Sequence, residues 1–432
     1  MTEIHLNINN FADSDLLLSI FPESNKYEFT AKKVFRLKEN VACNCGGTMV
    51  HNGYNYVRKK GFGKAKIGKE ICPECGNEHC EDKIFWKTLL ANWQETITSL
   101  LLVLRYSNVS WQVVSEIMSY IIPCSKDKAR YLFDEKIEQF QYSQDNYLIV
   151  NYDEQHPRKG RTQKFRLTLL NYLTKVPIAE ELFDNKEDST IENFLRKYLD
   201  IDKELIVITD CDRRYPEIFK RIWGNKVIHQ KCLLHLNKLI VHDFGRNTNL
   251  QEEHNKYLLL NIFYNRKKEL KFLEKILKKQ SAKNFSSSKE KYEWVKKAKQ
   301  KFYDYVKKLE NSRRRKGKNL TQRKLFRATQ IFQELLKQKI LFPKKVKQRL
   351  QMIEENWKYF TAFYQIKDCP ATNNAIENYY STSLKTHRKK QLRTDEGIIN
   401  HMKLSALKRT LGFIKPKKTI LEIYGLFKLI TS

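Results

Sequence analysis

A chain of 432 residues with 41% hydrophobic side chains is globular and long enough for two to four domains with real cores. Its 81 Lys and Arg outnumber 49 Asp and Glu, a formal net charge of +32, so a polyanionic partner is expected: nucleic acid first, a membrane surface second. No apolar run approaches the roughly 18 residues needed to span a bilayer, and the start MTEIHLNINNF has no basic-then-apolar signal pattern, so the expectation is a cytoplasmic, nucleoid-associated chain.

Residues 1–40 carry weak signals, a short helix near Ser14 to Ile20 and a basic, strand-like stretch from Tyr27 to Leu37. Five of the nine cysteines then fall between Cys43 and Cys80, a spacing that points to a metal rather than to disulfides in a reducing compartment. The pairs Cys43/Cys45 and Cys72/Cys75 flank a hairpin-sized segment, and two such pairs on tight turns supply the four thiolates of a tetrahedral Zn²⁺ site. Residues 41–84 therefore resemble a zinc ribbon with structural Zn²⁺. The Cys-x-Cys spacing is tighter than usual, so His79 or Cys80 stands as an alternative ligand.

Residues 85–143 read as three helices. Trp86, Leu89, Leu90, Trp93, Ile97, Leu100, Leu101 and Leu104 recur at three- and four-residue steps, marking the first. Ser110 caps a second with Val113, Val114, Ile117 and Met118, and Ser125 a third with Ala129, Leu132, Phe133, Ile137 and Phe140. With Pro123 between them, the two shorter helices look like a helix-turn-helix that would aim Lys126, Lys128 and Arg130 at DNA.

From Asn146 the pattern is mixed. A strand runs to Tyr152 and ends in Asp153 and Glu154; strands follow at Lys164 to Tyr172 and Lys175 to Leu182, the latter placed at an edge by Pro177. Ser189 caps a helix, Leu205 to Ile208 is a buried strand delivering Asp210 at its tip, Tyr215 to Trp223 is a helix stopped by Gly224, and Lys226 to Ile228 is a strand before Cys232 and His235. Residues 242–367 are helical and charged; 311–350 hold fourteen Lys or Arg and one acid, Glu334, an imbalance that suggests phosphate contacts by Arg313, Arg314 and Arg315 among others. Thr372 or Asn373 then caps a helix carrying Glu377, Lys385 and Arg388, and Ile420 to Ile430 is a packed terminal helix within 413–432.

Three stretches carry a resemblance. ITDCDRRYPEIF followed by HQKCLLH resembles the second-aspartate region of the DDE transposases of insertion sequences and Mutator-like elements, TNNAIEN resembles the signature around their last acid, and DEQ with RKG at 153–160 resembles a first-acid region. The resemblance covers about residues 43–410. It implies an α/β fold: a ribonuclease H-like mixed sheet over 144–241 and 368–412, interrupted by the basic helical insertion and preceded by the zinc ribbon and helix-turn-helix. It also implies that Asp153, Asp210 and Glu377 hold two Mg²⁺, with Mn²⁺ as a substitute, for DNA cleavage and strand transfer. Glu154, Asp212, Glu354 and Glu355 are the competing acids. Cys232 and His235 are two ligands at most, and are placed outside the metal set.

The implied partners are double-stranded DNA, as terminal repeats and target, and a second copy of the chain in a dimer or larger synaptic complex, with no membrane. The rival readings are a catalytically inactive DNA-binding regulator descended from such an element and a structure-specific nuclease that cuts without joining.

Overall fold

The computed structural model describes residues 27–30, 34–59, 63–80, 83–119, 124–142, 147–157, 164–245, 248–385, 389–390, 392 and 394–410. The helix expected near Ser14 to Ile20, the turn at Pro123, Arg388 and the stretch Ile420 to Ile430 lie outside the described residues. The chain divides into two compact units, 1–142 with 393–432 and 143–392.

The first unit opens on a five-stranded sheet. Strands β1 (Tyr27–Phe29), β2 (Phe35–Leu37), β3 (Val50–Lys59) and β4 (Gly63–Ile71) lie in the order β1-β2-β4-β3, with β5 (Glu78–Cys80) also on β4. The β3/β4 ladder shifts register between His51 and Tyr54, and Gly53 takes the left-handed φ of 83° that such a bulge favours.

Three helices follow: α1 (Lys83–Tyr106), α2 (Trp111–Ser119) and α3 (Lys126–Glu138). Ser110 and Ser125 act as caps, their hydroxyls accepting from the N–H groups of Val113 at 3.3 Å and Lys128 at 3.1 Å. Of the apolar positions read from the sequence, Ile97, Leu100, Leu101, Val114, Met118, Ala129, Leu132, Phe133 and Ile137 make one core, whereas Val113 is exposed. The helix Asp395–Leu407 completes that core through Leu404, and its Asn400 donates to Asp134 at 3.2 Å. The sequence carried the catalytic domain on to 412; Leu404 instead belongs to this unit, because helical periodicity marks an apolar face without naming the core it joins.

The second unit is built on a mixed five-stranded sheet. Its strands are β6 (Ile149–Gln155), β7 (Phe165–Asn171), β8 (Pro177–Phe183), β9 (Leu205–Thr209) and β10 (Val227–Lys231), in the order β10-β9-β6-β7-β8. The pairs β6/β7 and β7/β8 are antiparallel, and β6/β9 and β9/β10 are parallel. Pro177 opens β8 at the sheet's edge, where its missing N–H breaks no ladder.

Helices α4 (Asp188–Tyr198) and α5 (Tyr215–Trp223) pack on the sheet over a core that includes Val150, Tyr152, Phe194, Val207 and Phe219. Gly224 ends α5 at φ 61°. Ser189 is not the cap of α4: Glu187 stands at the N-cap without a side-chain capping bond, while the preceding Asn185 Oδ1 accepts from the Glu187 N–H at 3.1 Å and the Thr190 hydroxyl at 2.5 Å.

Helix α6 (Leu233–Phe244) leaves β10 and leads into the insertion, α7 (Leu250–Leu260), α8 (Lys267–Ser281), α9 (Ser288–Arg315), α10 (Leu325–Lys337), α11 (Lys344–Glu355) and α12 (Trp357–Thr361). The insertion builds its own cores, one around Leu273, Ala298 and Phe302 and another joining Leu236 and Ile240 to Phe332, Leu350 and Phe360. Helix α13 (Asn374–Ser383) then returns to the sheet and packs Ile376, Tyr379 and Tyr380 against Leu170 of β7.

Candidate active site and metal centre

Three acids far apart in the chain share one end of the sheet. The parallel β6/β9 pairs Ile149 with Ile206, Val150 with Val207 and Asn151 with Ile208, a constant offset of 57. The ladder ends there; continued by two residues, the same offset (210 − 153 = 57) would bring Asp153 level with Asp210, which follows the tip of β9 at Thr209. Here the strand runs further than its apolar run suggested: β6 continues through Gln155 because Asp153, Glu154 and Gln155 still pair with Thr168, Leu167 and Arg166 of β7. Burial lifts the Asp153 carboxyl well above the usual aspartate range, and Asp210, Glu154 and Glu377 push it further, so Glu377 on α13 belongs to the same electrostatic cluster.

The competing acids are engaged elsewhere. Glu154, on the opposite side of the strand, accepts the hydroxyls of Tyr152 at 2.8 Å and Tyr215 at 2.9 Å. Asp212 is bound by Arg214 at 2.8 Å, which overcomes its burial and holds it below the usual range. Glu354 pairs with Lys339 at 3.4 Å, and Glu355 accepts from Gln351 at 3.0 Å.

How α13 is brought there gives roles to residues inside the TNN and C-x-x-H stretches and to others outside them. Asn373 stands at the N-cap of α13, as the sequence predicts, but makes no side-chain capping bond: it is fully buried and its side chain bridges to the sheet. Its Oδ1 accepts from Asn151 at 2.6 Å and its Nδ2 donates to the Tyr152 carbonyl at 3.1 Å. Its backbone N–H donates to Cys232 Sγ at 3.1 Å, while Leu233 N–H donates to the Ala371 carbonyl at 2.9 Å. Cys232 thus stitches α6 to the loop before α13. Further along, Tyr380 donates to the Asp153 carbonyl at 2.7 Å.

Arg166 and Glu180 form an ion pair with both side chains at 0% exposure. Burial opposes the guanidinium's charge, but Glu180 outweighs it and raises the Arg166 pKa. Ser383 accepts from Arg166 at 3.1 Å and Tyr379 donates to Glu180 at 2.6 Å, so the pair anchors α13 on β7 and β8. A charged residue inside each of two apolar strands was the only sequence signal for it.

Glu377 is held from the α6 side: its Oε1 lies 2.8 Å from Lys238 Nζ and 3.3 Å from His235 Nε2. Burial and the Lys238 charge keep the His235 imidazole toward its neutral form, partly offset by Asp210 and Glu377. Beside these tips a cleft of about 550 Å³ is lined by Asp212, Arg213, Lys231, Gln348 and Arg349, among others, so α11 of the insertion forms one wall.

In the first unit, the Sγ atoms of Cys43, Cys45, Cys72 and Cys75 all lie within 4.8 Å of one another, with 3.5 Å between Cys43 and Cys75 and between Cys45 and Cys72. A tetrahedron with Zn–S bonds of about 2.3 Å has edges of about 3.8 Å, so the four sulfurs could hold a metal such as zinc. Two matched turns carry them. Cys43 N–H donates to the Gly47 carbonyl and Gly46 N–H to the Cys43 carbonyl, while Cys72 N–H donates to Asn77 and Gly76 N–H to Cys72. The Cys45 N–H, then the Cys75 thiol, draw the Cys43 pKa down to about 7. Gly47 leaves room for the sulfurs, since a Cβ there would meet Cys72 Sγ at 3.1 Å. Cys80 is the residue left over: its sulfur accepts from Asn55 at 3.0 Å.

The expected DNA contacts divide. Lys126, Arg130, Arg314, Arg315 and Lys385 are exposed and Lys128 is half-buried, whereas Arg313 is tied to the buried Glu269 at 2.7 Å. Among the described residues no helix is long and apolar enough to cross a membrane.

No family model matches the chain. Over 105 residues it is 29% identical to an uncharacterised 48.3 kDa protein of insertion element ISM1 from Methanobrevibacter smithii, covering 24% of this chain and 24% of that protein.

Proposed function

We propose that the chain is a DDE-type transposase, with a ribonuclease H-like domain that cleaves DNA and transfers the cut strand, and an N-terminal part that binds the element's terminal repeats. The observation that supports this reading best is the constant offset of 57 residues in the β6/β9 pairing, which continued by two residues leads from Asp153 to Asp210, together with the electrostatic push of Asp210 and Glu377 on Asp153. The strand order supports it: with β6 counted as first, the first and fourth strands are neighbours, as that fold requires. The insertion-element similarity points the same way.

The donor set is oxygen only, which suits a hard divalent cation; burial first, and the neighbouring acids after it, raise the Asp153 pKa. Asp153, Asp210 and Glu377 would hold two Mg²⁺ or Mn²⁺, which when bound supply an activated nucleophile and a stabilised leaving oxygen for in-line displacement at phosphorus.

The chain's own part is positioning. Two strands fix the aspartates, while Asn373 and Tyr380 bind the β6 backbone on either side of Asp153, so the helix bearing Glu377 keeps its height over the sheet. Lys238 and His235 both hold Glu377 Oε1 from the α6 side. Cys232 stays outside the ligand set because its sulfur accepts the Asn373 N–H. In the other unit the cluster of four cysteines would fold around structural Zn²⁺, and Lys126, Lys128 and Arg130 on α3 would face DNA as the chain works in a dimer or larger assembly.

The test is incubation of purified protein with labelled element ends, target plasmid and Mg²⁺. Joined products are expected, and Asp210→Asn should bind the ends without cutting or joining. Cut products alone would establish a nuclease, and binding alone a regulator; either result overturns the proposal.

A further inference from the structure

The insertion contains a second concave site, far in sequence from the acids. A cleft of about 510 Å³ opens where the first turns of α8 meet the end of α9 and the loop that follows it. It is lined by Lys267, Lys268, Lys271, Arg313, Lys316 and Lys318, and by one acid, Glu269. That acid is already committed: it is 1% exposed and lies 3.2 Å from Arg266 and 2.7 Å from Arg313. The five lysines, all exposed, therefore meet no available carboxylate among the cleft's lining residues.

The site is also rigid. Asn265 N–H donates to the Thr321 carbonyl and Arg323 N–H to the Phe263 carbonyl, both at 2.9 Å, and Arg323 Nε donates to the Asn261 carbonyl at 2.8 Å. These bonds fasten residues 321–323 to the segment just before α8, and the N–H groups of Lys316, Gly317 and Lys318 fold the loop back onto the Arg313 and Arg314 carbonyls at the end of α9. A merely solvated lysine face has no need of a concave, cross-braced frame or of a buried glutamate that fixes the one arginine in its wall. The amino end of α8 adds the partial positive charge of a helix N-terminus.

We propose that this cleft is a phosphodiester-binding site that grips the backbone of duplex DNA independently of base sequence. The choice of DNA over another polyanion rests on the reaction proposed above; the cleft's taste for phosphate rests on its own charges. Several lysines on one concavity suit successive phosphates, which position a duplex without reading it.

The experiment is fluorescence anisotropy with the full chain and a random-sequence duplex of about 30 base pairs, in EDTA, from about 50 to 200 mM salt. K268A/K316A/K318A is compared with a triple on exposed α9 lysines outside the cleft, K289A/K291A/K296A. Each lost phosphate contact lowers the log–log salt slope by about 0.9, so the cleft triple should lose about 2 to 3 in slope and bind at least about tenfold more weakly, whatever the sequence. The outer triple should lose less than about 1, and Lys→Arg at the three cleft positions should restore wild-type binding. Thermal midpoints check folding, and pairwise Lys→Gln variants replace any triple that unfolds.

Equal losses in the two triples, failure of Lys→Arg to restore binding, or tighter binding of single-stranded RNA of the same length would each overturn the proposal. Because EDTA suppresses cutting, the result stands apart from catalysis: Asp210→Asn should show the full cleft effect even if no strand is ever joined.

Discussion

Asp210→Asn should make the metal-free protein more stable while abolishing its response to divalent cations. Neighbouring strands lie about 4.8 Å apart, so carboxylates facing across β6 and β9 are separated by about 5 Å, and two full charges there repel by about 3 kcal/mol at an effective dielectric constant of about 20. That is an upper bound, because the Asp153 pKa is already raised and part of the repulsion is relieved by protonation. A gain of about 1 to 2 kcal/mol near neutral pH is expected. The substitution keeps the local geometry, since an amide oxygen can still accept the Asp212 N–H that Asp210 Oδ1 accepts at 2.9 Å. The pH dependence has a definite sign. An acid whose folded pKa exceeds its unfolded value, near 3.9, holds its proton more tightly when folded; wild-type stability therefore falls as pH rises from about 4 through the raised value. Removing the neighbouring charge lessens that fall, so the variant's advantage should shrink toward pH 4 and widen toward pH 8. Urea unfolding in EDTA, repeated with Mg²⁺ or Mn²⁺, measures both effects, with the cation raising the midpoint of wild type only. A variant less stable than wild type in EDTA, or equally stabilised by metal, would refute the shared-pocket argument.

Cys72→Ser should release bound zinc, read by metal analysis against protein concentration, whereas Cys80→Ser should retain it, because Cys80 bonds to Asn55 and lies outside the four-sulfur group. Gly47→Ala should lower zinc retention against a chelator, since the added methyl meets Cys72 Sγ at 3.1 Å while the Glu74 side chain can swing away. Glu180→Gln should cost about 3 to 5 kcal/mol in urea unfolding by leaving the Arg166 charge buried without a counter-charge, and R166M/E180L should recover most of that loss.

Much of the fold was legible from local pattern. The helix Tyr215–Trp223, its stop at Gly224 and the edge position of Pro177 follow from periodicity and from what glycine and proline allow. The acids of the candidate site were legible from their neighbours TNN and ITDCD. What sequence did not disclose was the framework beneath them. Asn373 looks like a cap because it precedes a helix, and only tertiary structure shows its amide spent on Asn151 and Tyr152. The Arg166–Glu180 pair depends on a cross-strand register, Arg166 opposite Leu182 and Thr168 opposite Glu180, that neither strand encodes alone. Arg313 read as one more surface charge in a basic run, yet its partner Glu269 lies on a different helix, 44 residues earlier. Strand ends failed similarly: β6 outlasts its apolar stretch because a neighbour keeps pairing with it, and hydrophobicity does not report neighbours.

The cores inside the insertion bear on how the third acid arrives. An unstructured tether of the length separating His235 from Asn373 would have to be drawn into a ring before α13 could touch β6, with an entropy loss growing as the logarithm of its length. Helices that satisfy one another around Phe302 and Phe332 let that tether condense first. What then remains to close is a short gap between two folded bodies, fastened at Cys232 and Asn373. Loosening the insertion's packing should therefore misplace Glu377 without altering a single residue near it.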